Sequence, residues 1–157
     1  MSLSLISIQT DVNSVIGVTR DKIDLEIKQI EFWLNDIISR NKSIKKNRCE
    51  ICNSCEQSNN LELHHIAGRK HDPRTITVCK KCHRWLSDKQ KTWDKRWLVT
   101  NASELLCTSF FHQGLQDILS LKSIKNGNSI YQKIADRLTE KISTYSESDW
   151  RQNYAVL

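Results

Sequence analysis

The spacing of hydrophobic residues changes along the chain, and each spacing predicts a different element. Between residues 19 and 45, apolar side chains recur every three or four positions, which is the period of an amphipathic helix. Thr19 or Asp21 can cap its start. Residues 61–66 instead alternate apolar and polar side chains, and 75–78 is a short β-branched run, so these two segments predict a hairpin. The apolar stripe of the predicted N-terminal helix comprises Ile23, Ile27, Ile30, Leu34 and Ile37.

Helical patterns return after the hairpin. One predicted helix follows Cys82, another begins at the capping-box-like stretch Asn101-Ala-Ser-Glu104, and a last one begins near Ser129. The expected fold is therefore α+β and mostly helical, with a β-hairpin and a helix between N- and C-terminal helices. A chain of 157 residues fits one domain. The expected segments within that single domain (1–157) are the N-terminal helix 19–45, a central core 46–98 and a C-terminal helical region 101–157.

Cysteine usage indicates metal binding. The first ten residues lack the features of a signal peptide, and no apolar run approaches the ~20 residues needed to span a bilayer. We therefore expect an intracellular, cytoplasmic protein with no membrane contact. Thiols stay reduced in that compartment, so the six cysteines of this chain favour metal binding or catalysis over disulfides.

The cysteine spacing predicts a structural Zn²⁺ site. Two Cys-x2-Cys pairs can supply four thiolates in a tetrahedron. The later pair is unambiguous, whereas three overlapping cysteines compete for the earlier one. Asn53 tolerates the left-handed conformation needed where the chain turns away from a metal, and it follows Cys52. The favoured ligands are therefore Cys49, Cys52, Cys79 and Cys82, with Cys55 as the alternative ligand.

The positive charge is concentrated around these cysteines. The formal net charge of the chain is +6, but Arg40 to Arg96 alone contains 15 Lys and Arg against 6 Asp and Glu, a net charge of +9. The remainder has 9 against 12, a net charge of −3. A basic segment that coincides with a metal-type cluster favours a polyanionic partner, with nucleic acid first.

Three stretches in this order resemble the HNH endonuclease family, the ββα-metal nucleases. They are Cys49-Glu-Ile-Cys52, Leu61-Glu-Leu-His-His-Ile66 and Thr77-Val-Cys-Lys-Lys-Cys-His83. The resemblance implies a zinc-stapled core in which a β-hairpin is followed by a helix, whereas the flanking helices are not part of it. It also implies a metal-dependent endonuclease that nicks or cleaves duplex DNA and leaves 5′-phosphate and 3′-hydroxyl ends.

The resemblance also assigns roles to the histidines. His65 would be the general base that takes a proton from the attacking water. His64 and His83 would be the two protein ligands of a catalytic divalent ion, Mg²⁺, Mn²⁺ or Ni²⁺. Basic side chains around these stretches are expected to contact DNA phosphates. They are Arg69, Lys70, Arg74, Lys80, Lys81 and Arg84.

Two positions depart from the family pattern. The family has an Asn shortly before the second Cys-x2-Cys, but no Asn occurs between His65 and Cys79. Candidates to replace it are His71, Asp72 and Thr75. Many members also have a further His four residues after the one that matches His83, and this chain has Ser87 there.

Two other functions compete with the nuclease. The first is a non-catalytic, zinc-containing module that binds nucleic acid on the same fold. The second is a zinc-stapled protein-interaction domain that uses the isoleucine-rich N-terminal helix. That helix is also a candidate homodimer interface, which would allow a nuclease with one active site per chain to cut both strands. Restriction and the spread of a mobile element, as in homing endonucleases, are among the roles open to such an enzyme.

Overall fold

The structure is a computed structural model that describes residues 3–40, 45–54, 60–139 and 142, with side chains from residue 20 onward. The predicted α+β, mostly helical fold with a two-stranded antiparallel hairpin is confirmed. The chain divides into two compact units, with the boundary between Asp36 and Ile37. None of the described helices combines the length and the apolar character needed to cross a membrane. In chain order the elements are α1 (Leu3–Ser39), β1 (Leu61–His65), β2 (Thr75–Cys79), α2 (Lys80–Gln90), a 3-10 helix (Lys95–Leu98), α3 (Glu104–Asn126) and α4 (129–139).

Helix α1 is longer at its start than the sequence pattern predicted. It begins at Leu3 rather than at residue 19, and it ends at Ser39, whereas residues 41–44 of the predicted helix lie outside the described residues. The segment before residue 19 contains no proline that would end a helix. Thr19, a candidate cap in the sequence, therefore lies inside α1. Phe32 is 78 % exposed on this helix. The homodimer through α1 stays a prediction.

The hairpin sets the faces on which its side chains lie. β1 pairs with β2 in antiparallel register, with Leu61 opposite Cys79 and His65 opposite Thr75. Because successive side chains of a strand point to opposite faces, Glu62 and His64 share one face of β1 and His65 belongs to the other. Every residue of β2 is buried. The predicted strand segments at 61–66 and 75–78 are thus confirmed.

Helix α3 packs closely against the backbone that follows β1. Its start falls in the predicted stretch, but the cap is Ser103 rather than Asn101: the Ser103 hydroxyl accepts a hydrogen bond from the Leu106 N–H at 3.2 Å. At Gly114 a Cβ atom would lie only 2.1 Å from the carbonyl oxygen of Ile66. A side chain at residue 114 would therefore push α3 away from the hairpin.

We expect Gly114→Ala to destabilise the fold by about 2 kcal/mol or more, because the new methyl group meets a backbone carbonyl that cannot move independently. Gly127→Ala is the matched control, since Gly127 has φ 65° but its Cβ would meet nothing within 4 Å. The control should cost about 1 kcal/mol through backbone strain alone. Denaturant unfolding followed by tryptophan fluorescence measures both. Equal stability of Gly114→Ala and the parent protein would contradict the packing described.

The Trp93–Asp117 hydrogen bond gives a second prediction. The Trp93 Nε1–H donates to Asp117 Oδ2 at 2.8 Å, and burial raises the pKa of Asp117 above its ordinary value of 3.8, although Trp93 and Lys89 partly oppose this. When the pKa of a carboxyl group is raised in the folded state, the protein loses stability as the pH rises from the unfolded pKa through the folded pKa of that group. Asn at this position keeps an acceptor for Trp93 and does not ionise.

Asp117→Asn should therefore be more stable than the parent protein at pH 7, and the difference should shrink as the pH falls toward 4. Unfolding free energies measured in parallel between pH 4 and pH 7.5 test this. A difference that is constant or grows toward acid pH would contradict the expected sign.

Candidate functional site

Four cysteines lie together where the prediction places a structural metal. The Sγ atoms of Cys49, Cys52, Cys79 and Cys82, the cysteine cluster, all lie within 4.8 Å of one another. The Cys52 and Cys79 Sγ atoms are 3.9 Å apart. Thiolates in a tetrahedron with ordinary Zn–S distances are roughly 3.8 Å apart. The cluster could hold a structural metal ion such as zinc. Cys55, the alternative ligand, lies outside the described residues.

The turn that carries the first cysteine pair has the conformation expected of a metal-binding knuckle. Asn53 has φ 57°, which is the left-handed conformation predicted for it. The Asn53 N–H donates to the Cys49 carbonyl at 3.0 Å, and the Cys49 N–H donates to the Ser54 carbonyl at 3.2 Å. The left-handed residue turns the chain back so that both thiols of the pair face the same point.

Glu50 fastens this turn to strand β2. Its backbone N–H donates to the Thr77 carbonyl at 2.9 Å, and its carboxylate accepts from the Thr77 N–H at 2.7 Å. Arg40 lies 2.6 Å from the same carboxylate, and both side chains are buried. Burial by itself would raise the pKa of Glu50, but the hydrogen bonds from Arg40, Thr77 and Lys46 outweigh it and the pKa is lowered. The carboxylate is thus ionised and holds the turn in place.

Helix α3 supports the turn from the other side. The Lys122 ammonium donates to the Glu50 carbonyl, and the Asn126 amide donates to the Ile51 carbonyl at 3.3 Å. Burial lowers the pKa of Lys122, while the nearby Cys49 and Glu50 act in the opposite direction. The cysteine cluster is therefore enclosed by groups from β2, α2 and α3.

The thiols themselves show why a cation suits this position. The hydrogen bond from Cys82 is the largest influence on Cys49 and lowers its pKa to about 4, whereas the same interaction raises the pKa of Cys82 far above the ordinary value. Burial raises the pKa of Cys79. Without a positive charge among them, one thiolate is stabilised only while its neighbours keep their protons. A divalent metal allows all four to ionise.

Two histidines face each other close to the cysteine cluster in sequence, since His83 directly follows Cys82. His64 from β1 is 4 % exposed, and its ring centroid is 5.2 Å from that of His83 in the first turn of α2, in an edge-on arrangement. Burial, followed by the charges of His83 and His65, lowers the pKa of His64 to about 3. His64 is therefore neutral at pH 7, which is the form that binds metals.

Glu62 adds a carboxylate to this pair and was not among the predicted site residues. Its Oε2 atom lies 2.6 Å from the Nδ1 atom of His83. A carboxylate oxygen accepts hydrogen bonds, so Nδ1 is the donor in this contact, which leaves Nε2 as the nitrogen that could bind a metal. Metal-binding histidines are typically oriented in this way. The sequence feature that could have identified Glu62 is its position two residues before His64, which places both side chains on the same face of β1. Glu62, His64 and His83 are called the histidine site below.

Glu62 and His83 of the histidine site, but not His64, line a cleft whose charged side chains are three basic and two acidic, called the basic cleft below. A cavity of about 330 Å³ is lined by Glu62, Lys80, His83, Arg84, Ser87, Asp88 and Lys91. Lys80 and Arg84 are two of the residues predicted to contact phosphates. Ser87 lies one helical turn after His83 and lines the same cleft, where it offers a hydroxyl.

The remaining predicted phosphate contacts divide into two groups. Arg69, Lys70 and Lys81 are exposed, as are Lys80 and Arg84. Arg74 is used inside the fold instead. Its Nε atom donates to Asp72 at 2.7 Å, and its guanidinium lies 3.4 Å above the centre of the Phe111 ring. Five of the six predicted residues therefore offer their charge to solvent.

His65, the predicted base, is the last residue of β1 and is half-buried. Burial, followed by the charge of Arg69, lowers the pKa of His65, while Asp72 partly opposes the shift. Its carbonyl accepts hydrogen bonds from the Gly68 N–H at 3.2 Å and from the Gln90 side-chain amide at 2.9 Å. Gln90 is a second residue that the sequence interpretation missed.

Two of the three candidates for the missing Asn are occupied elsewhere. His71 Nε2 is 2.7 Å from the Trp97 carbonyl, and the Asp72 carboxylate holds Arg74. The hydroxyl of Thr75 is buried without a hydrogen-bond partner. Among the described residues, none of these three side chains hydrogen-bonds to His65.

The two metal-type clusters differ in how far they are assembled. Across residues 3–40, 45–54, 60–139 and 142, the cysteines are the one set of three or more His, Cys, Asp or Glu ligands within 4.8 Å of one another. The histidine site thus offers two facing imidazoles rather than a closed cage. Comparisons with protein-family models, curated proteins and solved structures find no match to this chain.

We expect the purified protein to contain one zinc ion, and we expect Cys49→Ser and Cys82→Ser to lose it. Loss of the ion should remove cooperative unfolding, because such a site typically contributes an apparent ~10 to 16 kcal/mol. Cys107→Ser is the control, since the Cys107 Sγ atom lies 3.8 Å from His71 and outside the cluster. Elemental analysis and thermal unfolding measure both effects. Retention of zinc by Cys49→Ser together with its loss from Cys55→Ser would show that the other cysteine pair is used.

Proposed function

We propose that this protein is a metal-dependent DNA endonuclease of the HNH type, with a structural Zn²⁺ in the cysteine cluster. The observation that carries the proposal is the histidine site, in which buried His64 faces His83, and Glu62 orients His83, at the edge of a basic cleft. A purely structural zinc module has no need of a second, oriented pair of imidazoles. The order of strand, strand and helix around the cluster agrees with the ββα core that the resemblance implies.

His64 and His83 would hold the catalytic ion. Their position on β1 and on the first turn of α2 fixes the two imidazoles across the hairpin–helix junction. A divalent ion such as Mg²⁺, Mn²⁺ or Ni²⁺ supplies Lewis-acid stabilisation of the phosphate and of the leaving 3′ oxygen. Glu62 would hold the His83 ring so that Nε2 is turned away from the carboxylate.

His65 would act as general base: β1 ends at this residue, so its side chain is not held to the far face of the strand from His64. It removes a proton from water while the water oxygen bonds to phosphorus and the bond from phosphorus to the 3′ oxygen breaks. The products are a 5′-phosphate and a 3′-hydroxyl, the latter protonated from solvent. A neutral imidazole suits this task near pH 7, and general-base assistance typically contributes ~10² to 10⁴ in rate.

The basic residues would bind the DNA backbone. Lys80 and Arg84 line the cleft beside His83, where the scissile phosphate would enter. Arg69, Lys70 and Lys81 would contact flanking phosphates without reading bases. Binding should therefore weaken steeply as the salt concentration rises.

A plasmid-nicking assay tests the proposal. Zinc-loaded protein should nick supercoiled DNA with Mg²⁺, Mn²⁺ or Ni²⁺ and not with EDTA. His65→Ala should be slower by about 10² or more, because it lacks the base, while it keeps its zinc and its affinity for DNA. His64→Ala should be equally impaired. The control His112→Gln, on α3 away from the site, should cut normally.

Two outcomes would contradict the nuclease. Cleavage that persists in both His64→Ala and His65→Ala would show that the activity comes from elsewhere. DNA binding without cleavage of any substrate by the parent protein would favour the non-catalytic nucleic-acid-binding module. A protein that binds no DNA at any salt concentration would instead favour the protein-interaction domain.

A further inference from the structure

The backbone that follows β1 is held by a buried amide side chain. Gln90 is the last residue of α2 and is 9 % exposed. Its Nε2 atom lies 2.9 Å from the His65 carbonyl and 3.2 Å from the Ile66 carbonyl. An amide nitrogen has two N–H groups, so it can serve both oxygens at once. Few other side chains of this length could do so without bringing a charge into the fold.

The same backbone is fixed from two further elements. Gly114 of α3 lets that helix approach the Ile66 carbonyl so closely that a Cβ would lie 2.1 Å from it. Trp97, in the 3-10 helix, donates from Nε1 to the Ala67 carbonyl at 2.8 Å. Three successive carbonyls at the end of β1, those of His65, Ile66 and Ala67, are therefore held by side chains or packing from α2, α3 and the 3-10 helix.

Gln90 and His83 lie on one face of the same helix. They are seven residues apart in α2, which is close to two full turns. His83 faces His64 at the start of the helix, and Gln90 reaches the His65 carbonyl at its end. A single rigid element thus fixes both neighbouring histidines of β1, one through its ring and the other through its backbone.

We propose that Gln90 is the positioning residue for His65, taking the place of the loop side chain that the sequence lacks. This inference rests on the proposed function. Gln90 does not touch substrate; it sets the direction in which the His65 side chain leaves the strand. A displacement of a catalytic group by about 1 Å can cost roughly 10²-fold in rate. His71 and Asp72 bond to the Trp97 carbonyl and to Arg74, and the Thr75 hydroxyl, opposite His65 in the hairpin, has no hydrogen-bond partner, so none of the three holds His65 through a side-chain hydrogen bond.

The test compares Gln90→Met with the parent protein. Met has a similar length and no donor, so it removes the two hydrogen bonds and little volume. Gln132→Met is the control, because Gln132 is on α4 and its side-chain amide donates to Asp136. For each protein we would measure zinc content, kcat and KM for nicking, and hydrogen exchange of the Gly68 amide, which donates to the His65 carbonyl.

Gln90→Met should lose about 10- to 100-fold in kcat with KM unchanged within a factor of two, because substrate binding is intact while the base is misplaced. Zinc content should be unchanged, and the Gly68 amide should exchange faster. An unchanged kcat would overturn the proposal. Loss of zinc or a general rise in exchange across the fold would also overturn it, since Gln90 would then be merely structural.

The exchange measurement separates this proposal from the function on which it rests. If the parent protein cuts no substrate, the nuclease fails, and the catalytic role of Gln90 fails with it. The local exchange at Gly68 then still decides whether Gln90 holds the backbone. If the parent protein cuts DNA and Gln90→Met cuts it equally well, only the positioning role is lost.

Discussion

The structure depends on the closure of the cysteine cluster. Cys49 and Cys52 lie on a short turn, whereas Cys79 is the last residue of β2 and Cys82 belongs to the first turn of α2. Four thiols within 4.8 Å of one another bring a distant turn against the junction of strand and helix. Without a cation, the Cys49 thiolate depends on a proton kept by Cys82. A metal in the cluster would let all four groups ionise and would stabilise this closure.

His83 follows Cys82 directly, so the geometry of the cysteine cluster also determines where the histidine site forms. Alternation along β1 then gives consecutive residues different surroundings: His64 is buried against His83, and His65 is half-buried at the strand end. In the proposed nuclease these surroundings correspond to a metal ligand and a base. The basic cleft beside His83 is where a phosphate would approach that residue.

Local patterns in the sequence predicted the local structure well. The alternation of apolar and polar residues predicted the hairpin, and the Cys-x2-Cys spacing together with Asn53 predicted the favoured cysteine pair. Both features could be predicted because they depend on residues only a few positions apart. The predicted start of α1 at residue 19 was wrong, because a residue that is able to cap a helix can also lie inside one. The contacts of Glu62, Gln90 and Lys122 could not be predicted, since their partners lie 21 to 72 residues away and side chains of these types are common on surfaces.

The central claim is that one hairpin holds two separate metal sites, a cysteine cluster for zinc and a histidine site for a catalytic ion. Titration of Mn²⁺ into the zinc-loaded protein, followed by electron paramagnetic resonance together with zinc analysis, tests it most directly. The account predicts one bound Mn²⁺ per chain with zinc fully retained, and loss of that Mn²⁺ in His83→Ala. Binding of Mn²⁺ only with release of zinc, or equal binding by His83→Ala, would contradict it.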